Sequence, residues 1–284
     1  MTNEENLNQL NSEYWEELCG TNIARKLGVS DSSLESLSRF DRWFFDFYPY
    51  LDAHLESVVG LDGPVLEVGL GYGSVATRLM EKGVNYKGLD IARGPVDMAN
   101  HRALLLGHKR VADIGNVLDM TSVADGHFAG SVAIGSLHHT GNFRAAIKEL
   151  VRVTSPDGIV VGMVYSIFSL RNWIMRPRLT LKLLFKNLRT RGVSIRADEH
   201  LRWMSDHNSS GEAAPATEYF SRRALKKILS DYGEVSINAR NLDQLPIPFL
   251  SSERVRLWLI KTPLAAFGGL DLYFSIRVAA KQVG

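Results

Sequence analysis

Cysteine is nearly absent from the 284 residues: Cys19 stands alone, which excludes a disulfide framework and a cysteine-based zinc site. Long apolar runs are missing too. The longest stretch free of Asp, Glu, Lys, Arg and His covers 158–170, short of the roughly 20 residues that span a bilayer. The first residues, MTNEENLNQLNSEYWEEL, are acidic and polar and do not read as a signal peptide. Neither charge is in real excess: 33 Lys and Arg face 31 Asp and Glu, for a net charge of +2. That gives no global electrostatic case for a nucleic-acid partner. What is present suits a packed chain, 45% apolar and 23% charged, one large domain or two small ones at about 150 residues each. The expectation is a soluble, cytoplasmic, globular protein.

Charge is unevenly placed. Residues 1–20 carry five glutamates and no Lys or Arg, whereas between Asp157 and Asp198 there are eight basic residues and no acid. The early chain reads as helical: Ser32-Ser33-Leu34-Glu35 has capping-box spacing, and Leu34, Leu37, Phe40, Phe44, Phe47 and Leu51 recur at helical steps. Pro49 should kink or end that helix. From Pro64 short apolar runs alternate with helical patterns. PVLEVGL, NYKGLDI, HFAGSVAIG and DGIVVGMVYS read as strands. Between them GSVATRLMEKG, GPVDMANHRALLLG and NFRAAIKELVRV read as helices. Such alternation implies parallel strands joined by helical crossovers. It stops after Ser166 and resumes with YFSRRALKKILSDYG as a helix, then EVSINAR and LYFSIRVAAK as strands. Four parts follow: a helical cover at 1–58, an α/β core at 59–166, a basic helical insertion at 167–218, and the rest of the core at 219–284.

The most informative segment is Glu67-Val68-Gly69-Leu70-Gly71-Tyr72-Gly73, between a strand and a helix. Glycines there let the chain turn sharply and let backbone N–H groups approach a ligand at a helix start. A dinucleotide fingerprint needs glycine at position 74, which is Ser74. The pattern present is acid-x-G-x-G-x-G. A carboxylate at Glu67 repels a pyrophosphate and suits an ammonium. Asp90, at the end of the second strand, is placed to accept both hydroxyls of a ribose. A ligand with a ribose, a cationic amino-acid moiety and no phosphate is S-adenosylmethionine.

From about Val65 to Tyr165 the chain resembles the class I S-adenosylmethionine-dependent methyltransferases. VLEVGLGYGSVATRL resembles their first motif, GLDI their second-strand acid, GNVLDM their adenine loop, AIGSLHHTGN their fourth strand, and AIKELVRVTSPDGIVVGMVYS their following helix, turn and fifth strand. The resemblance implies a Rossmann-like, seven-stranded, mostly parallel sheet with helices on both faces and one antiparallel strand near the end. It also implies S-adenosylmethionine as cofactor and S-adenosylhomocysteine as product. Glu67, Gly69, Gly71, Gly73, Asp90, Ile91, Asn116, Val117 and Gly135 would hold the cofactor, and Arg42, or Arg39, would pair with its carboxylate.

In-line methyl transfer asks the protein to align a nucleophile and exclude water, with a base only for a weakly acidic nucleophile and no metal in principle. His138 and His139, past the end of the fourth strand, are the base candidates. Asp198, Glu199, His200, Asp206, His207 and Asn208 fit no familiar metal spacing and read as part of a lid, with Tyr219 and Ser221 lining the same pocket. Residues 10–50, with Tyr14 and Trp15, would cover the cofactor, and Cys19 reads as a packed side chain. PRLTLKLLFKNLRTRG reads as an amphipathic helix with Leu181, Leu184, Phe185 and Leu188 on one face and basic residues on another. It is a cap over the cleft, a peripheral membrane contact through 171–191, or a phosphate-binding surface. The function expected is methyl transfer to O, N or C of a small-molecule acceptor in biosynthesis of a specialised metabolite. The alternatives are an RNA- or protein-methylating enzyme and a non-catalytic binding module. The sequence leaves the oligomeric state open.

Overall fold

A computed structural model describes residues 3–242 and 252–280. Four helices come first: α1 (Asn3–Tyr14), α2 (Thr21–Lys26), α3 (Leu34–Phe47) and α4 (Leu51–Leu55). Alternation then runs through β1 (Val65–Val68), α5 (Ser74–Glu81), β2 (Tyr86–Asp90), α6 (Arg93–Leu105), β3 (Ala112–Ile114), β4 (Phe128–Ile134), α7 (Phe143–Val153) and β5 (Thr154–Ser166). The insertion supplies α8 (Leu170–Met175), α9 (Pro177–Thr190), β6 (Ser194–Arg196) and α10 (Glu199–Ser205). The chain closes with β7 (Glu218–Phe220), α11 (Arg222–Leu229), β8 (Gly233–Arg240), α12 (Glu253–Leu259), α13 (Pro263–Gly268) and β9 (Asp271–Val278). No helix among the described residues is long and apolar enough to cross a membrane.

The sheet is Rossmann-like. Parallel strands β3, β2, β1, β4 and β5 lie side by side, β9 runs antiparallel to β5, and β8 is antiparallel to β9. The strand count is nine rather than the expected seven. The extra pair is β6 and β7, three residues each, too short to show alternation. Tyr219 and Phe220, expected at a helix start, form β7, and α11 begins after Ser221, whose Oγ accepts from Ala224 N at 3.1 Å. Tyr165 pairs with Asp271 of β9 and Tyr219 of β7, so these two strands flank it on opposite edges. Because β4 ends opposite Met163, β7 takes over its lane and hangs the insertion above the end of β4.

Period-two alternation splits β1 between two cores. Leu66 and Val68 pack with Phe143, Leu150 and Phe274 on one face, and Val65 with Leu55, Leu79 and Val96 on the other. Glu67 shares the side of Val65. On α7 the buried residues Phe143, Ala146, Ile147, Leu150 and Val153 follow helical spacing, behind an Asn142 cap whose Oδ1 accepts from Ala145 N at 3.2 Å. The cap of α3 is Ser33, one residue beyond the capping-box start, and the helix ends at Phe47, so Leu51 belongs to the separate α4.

The N-terminal cover is tied to the core by a buried ion pair. Asp41 of α3 receives Arg102 of α6 through two N–H···O contacts of 2.7 and 3.0 Å and accepts from Ser74 Oγ at 2.5 Å. Helix α9 differs from expectation in which face it turns inward. Thr180, Leu183 and Asn187 are buried, whereas Leu181, Phe185 and Leu188 are 47%, 64% and 54% exposed. Its apolar ridge therefore does not cap the cleft. Thr180 Oγ1 donates to Asn172 O at 2.9 Å and draws the polar side in.

Candidate functional site

The glycine turn after β1 is built by its contacts. Gly69, Gly71 and Gly73 all have positive φ, and a Cβ on Gly69 would collide with that of Ser136. At Gly73 a Cβ would come within 2.7 Å of Arg102 Cδ, whereas Gly71 meets only Cys19 Cβ at 3.7 Å. The turn is fastened to the end of β2: Asp90 Oδ2 accepts from Leu70 N at 2.7 Å and Oδ1 from Ala92 N at 3.0 Å. Glu67 is 2% exposed and accepts from Tyr86 Oη at 2.7 Å. Burial pushes the carboxyl of Glu67 up to about 8 and that of Asp90 up to about 6. Near neutral pH Glu67 therefore holds a proton unless a cation arrives to displace it.

These residues line a cavity of about 420 Å³ at the carboxyl ends of the parallel strands. Of the cofactor residues expected, Glu67, Gly69, Gly71, Asp90, Ile91, Asn116, Val117 and Gly135 line it. Gly73 stands behind them, starting α5 against Arg102. Asn116 is held by its own turn, its Oδ1 accepting from Leu118 N at 2.9 Å. Arg42 is a correction. It is exposed and absent from the wall, because Phe40, Trp43 and Phe44 turn inward and residue 42 emerges on the far side of α3. Arg39 likewise faces out, bonded to Leu27 O and Glu35. Among its described lining residues the cavity has no Lys or Arg.

The two histidines part company. His139 lines the cavity, whereas His138 is fully buried behind it, its ring 4.3 Å from that of Tyr165. Burial first, then neighbouring His139, pull the His138 pKa well below the usual imidazole value, so it stays neutral. His139 Nδ1 lies 2.8 Å from Ala216 O. A carbonyl only accepts, so Nδ1 carries a proton and Nε2 is the ring nitrogen left to face Asp206. Nε2 stands 3.6 Å from Asp206 Oδ2, and Tyr165 Oη donates to Asp206 Oδ1 at 3.1 Å.

The roof comes from α1 and the insertion. Asn11 Nδ2 donates to His139 O at 3.0 Å, Ser12 Oγ to Ile91 O at 3.1 Å, and the Trp15 ring lies 4.9 Å from that of His139. Tyr14 Oη reaches the carbonyls of Asp206 and Glu212 at 3.2 and 3.3 Å, and Glu17 accepts from Ser209 N and Oγ at 2.9 and 2.6 Å. Of the polar cluster at 198–208, Asp206 alone lines the cavity. Asp198 caps α10 and pairs with Arg176 at 2.7 Å, and His207 stacks on Trp203. Tyr219 and Ser221, expected in the pocket, are buried in the insertion hairpin. Cys19 is exposed and lines the cavity rather than packing in a core.

Residues 66–162 match the family described as a methyltransferase domain. Three solved structures share the fold at a TM-score of 0.50 each. One, from work on converting a disulfide bond into a thioacetal group in echinomycin biosynthesis, is 16% identical, covering 83% of this chain and 82% of the other. A second, an S-adenosylmethionine-dependent methyltransferase of Thermotoga maritima described as a possible histamine N-methyltransferase, is 15% identical over 84% and 94%. The third, a didemethyltoxoflavin N-methyltransferase of Burkholderia thailandensis bound to its substrate and S-adenosylhomocysteine, is 15% identical over 83% and 79%. The cavity fits S-adenosylmethionine on two counts. Gly71 leaves open a space that a side chain would fill, and Glu67 and Asp90 are acceptors suited to an ammonium and a ribose.

Proposed function

We propose that this chain, whose residues 66–162 match a methyltransferase-domain family, uses S-adenosylmethionine to transfer methyl groups to an O, N or C atom of a small-molecule acceptor of specialised metabolism. The bound cofactor supplies the electrophilic methyl group and a neutral thioether leaving group. One observation carries the proposal: the roofed cavity joins the two acids of the cofactor end to His139 and Asp206. His139 Nε2 and Asp206 Oδ2 stand 3.6 Å apart, and with His139 as the base they form a pair of acceptors for one proton-bearing group. An acceptor O–H or N–H donates there, and His139 takes the proton as the nucleophile attacks. The resulting imidazolium is then stabilised by Asp206. Trp15, Trp43 and Tyr48 supply aromatic walls that exclude water. A roof of this kind favours a small acceptor over RNA or protein. Incubation with methyl-labelled cofactor tests this: label should enter the low-molecular-weight fraction of a cell extract. Label confined to RNA or protein would reject it.

A second reading concerns where the acceptor is met. The exposed ridge Leu181, Phe185 and Leu188 lies among Arg178, Lys182, Lys186 and Arg189, a combination that suits an anionic lipid surface. On this reading α9 is a peripheral membrane contact through which a lipid-like acceptor is reached.

A further inference from the structure

Helix α1 roofs the cavity without an apolar seat of its own. Its sequence is NEENLNQLNSEY, and the residue it buries is Asn11, 4% exposed. Asparagine is a poor helix former and is seldom buried, so neither propensity nor packing accounts for it at this position. Asn8 and Asn11, three residues apart on one face of the helix, both line the reaction cavity. Trp15 lines it as well, one turn further on, where its backbone N donates to Asn11 O at 2.9 Å.

One half of the Asn11 carboxamide is in use. Nδ2 donates to His139 O at 3.0 Å, and that bond decides which way round the amide stands. The other half, Oδ1, is buried and meets no hydrogen-bond donor among the described residues. A buried amide oxygen left unpaired costs free energy, which a donor brought into the cavity would recover. Asn11 is bonded to the main chain of the base itself, whereas the glycine turn and Asp90 mark the cofactor's end. Its free oxygen therefore belongs to the acceptor's side of the cavity.

We infer that Asn11 is a specificity-determining residue, its Oδ1 accepting a hydrogen bond from an N–H or O–H of the methyl acceptor other than the one that His139 deprotonates. The inference rests on the small-molecule function proposed above and narrows its substrate class. The acceptor is a flat ring compound with a second hydrogen-bond donor beside its nucleophile, as in a lactam, a cyclic amide or a polyhydroxylated ring, with Trp15 in the wall that encloses it. One end of the carboxamide holds the main chain of the base and the other holds the acceptor. The same side chain thereby sets the spacing between the two reacting partners.

Two isosteric probes separate the outcomes: carbostyril, a lactam with a ring N–H, and coumarin, in which a ring oxygen replaces that N–H. Each is titrated calorimetrically into the full chain saturated with S-adenosylhomocysteine. Carbostyril should bind about tenfold more tightly than coumarin. Asn11→Leu should bring that ratio close to one while S-adenosylhomocysteine binds as before. Ser12→Ala cuts the bond from α1 to Ile91 O and should leave the ratio intact, which tells a loosened roof from a lost hydrogen-bond acceptor. Should Asn11→Leu fail to fold, Asn11→Ala, which introduces no bulk, takes its place. Equal binding of the two probes, no binding of carbostyril, or a ratio that survives substitution of Asn11 would overturn the inference and leave the cofactor site standing. Lost affinity for S-adenosylhomocysteine at an unchanged ratio would overturn it as well, by giving Oδ1 to the cofactor. Failure of the unsubstituted chain to bind S-adenosylhomocysteine would instead remove the methyltransferase function on which the inference depends.

Discussion

His139 Nε2 and Asp206 Oδ2 face each other at 3.6 Å, although one follows the fourth strand and the other ends a helix of the insertion. Their neighbours decide their chemistry. Ala216 O fixes the His139 tautomer, and Tyr165 Oη fixes the Asp206 carboxylate.

His139→Gln should lower kcat about 100-fold with unchanged affinity for S-adenosylhomocysteine, and Asp206→Asn should lower it by a similar order. His138→Leu, which replaces a neutral ring behind the wall, should leave turnover within a few-fold. Single-turnover rates on the three purified variants, once an acceptor is in hand, check this. Equal losses at 138 and 139 would contradict the assigned roles.

Glu67 and Asp90 make the cofactor-free protein sensitive to alkali. Both folded pKa values lie above the ordinary ones, about 8 against 4.5 for Glu67 and about 6 against 3.8 for Asp90. Each therefore contributes stability that is complete below its unfolded pKa and is lost as pH rises through its folded pKa. Tm should fall between pH 5 and 8.5, and Glu67→Gln should flatten the upper part of that fall. An ammonium ligand reverses the effect, so the Tm gain from S-adenosylhomocysteine should grow with pH over the same interval. Calorimetric scans across that interval, with and without ligand, measure both.

Asp41→Ala leaves Arg102, 3% exposed, without its carboxylate. The expected loss is about 3 kcal/mol of unfolding free energy in urea titration, most of it the penalty of an unpaired buried charge. Asp41→Asn, which keeps the shape, should lose less.

For α9 the expected result is co-sedimentation with vesicles rich in phosphatidylserine and none with neutral phosphatidylcholine. Phe185→Glu should abolish the binding without changing Tm, because Phe185 is 64% exposed. Vesicle binding that is insensitive to this substitution would remove α9 as the contact.

Much of the fold was legible because it is local. The strands β1, β2, β4 and β5 are compact apolar runs, α7 shows helical spacing, and acid-glycine spacing singles out Glu67, Asp90 and the turn. What was not legible depends on partners far along the chain. Ser194–Arg196 and Glu218–Phe220 are strands because the first pairs with the second and the second also pairs with the end of β5. Amphipathic spacing in α9 separates two faces but does not say which turns inward, and Thr180 draws its side in through the bond to Asn172 O. Arg42 was misplaced for a related reason: an arginine on a covering helix is a cation near the site only if its face points there. Asp206 stood in a polar cluster with no distinguishing neighbour in sequence. It reaches the cavity only when β7 carries the insertion over the end of β4.

The contacts of Tyr14 and Glu17 with residues 206–212 fasten the protein's two covers into one latch. Ligand entry must move α1 and the insertion together or break their shared bonds. Displacing either cover alone would break these four hydrogen bonds.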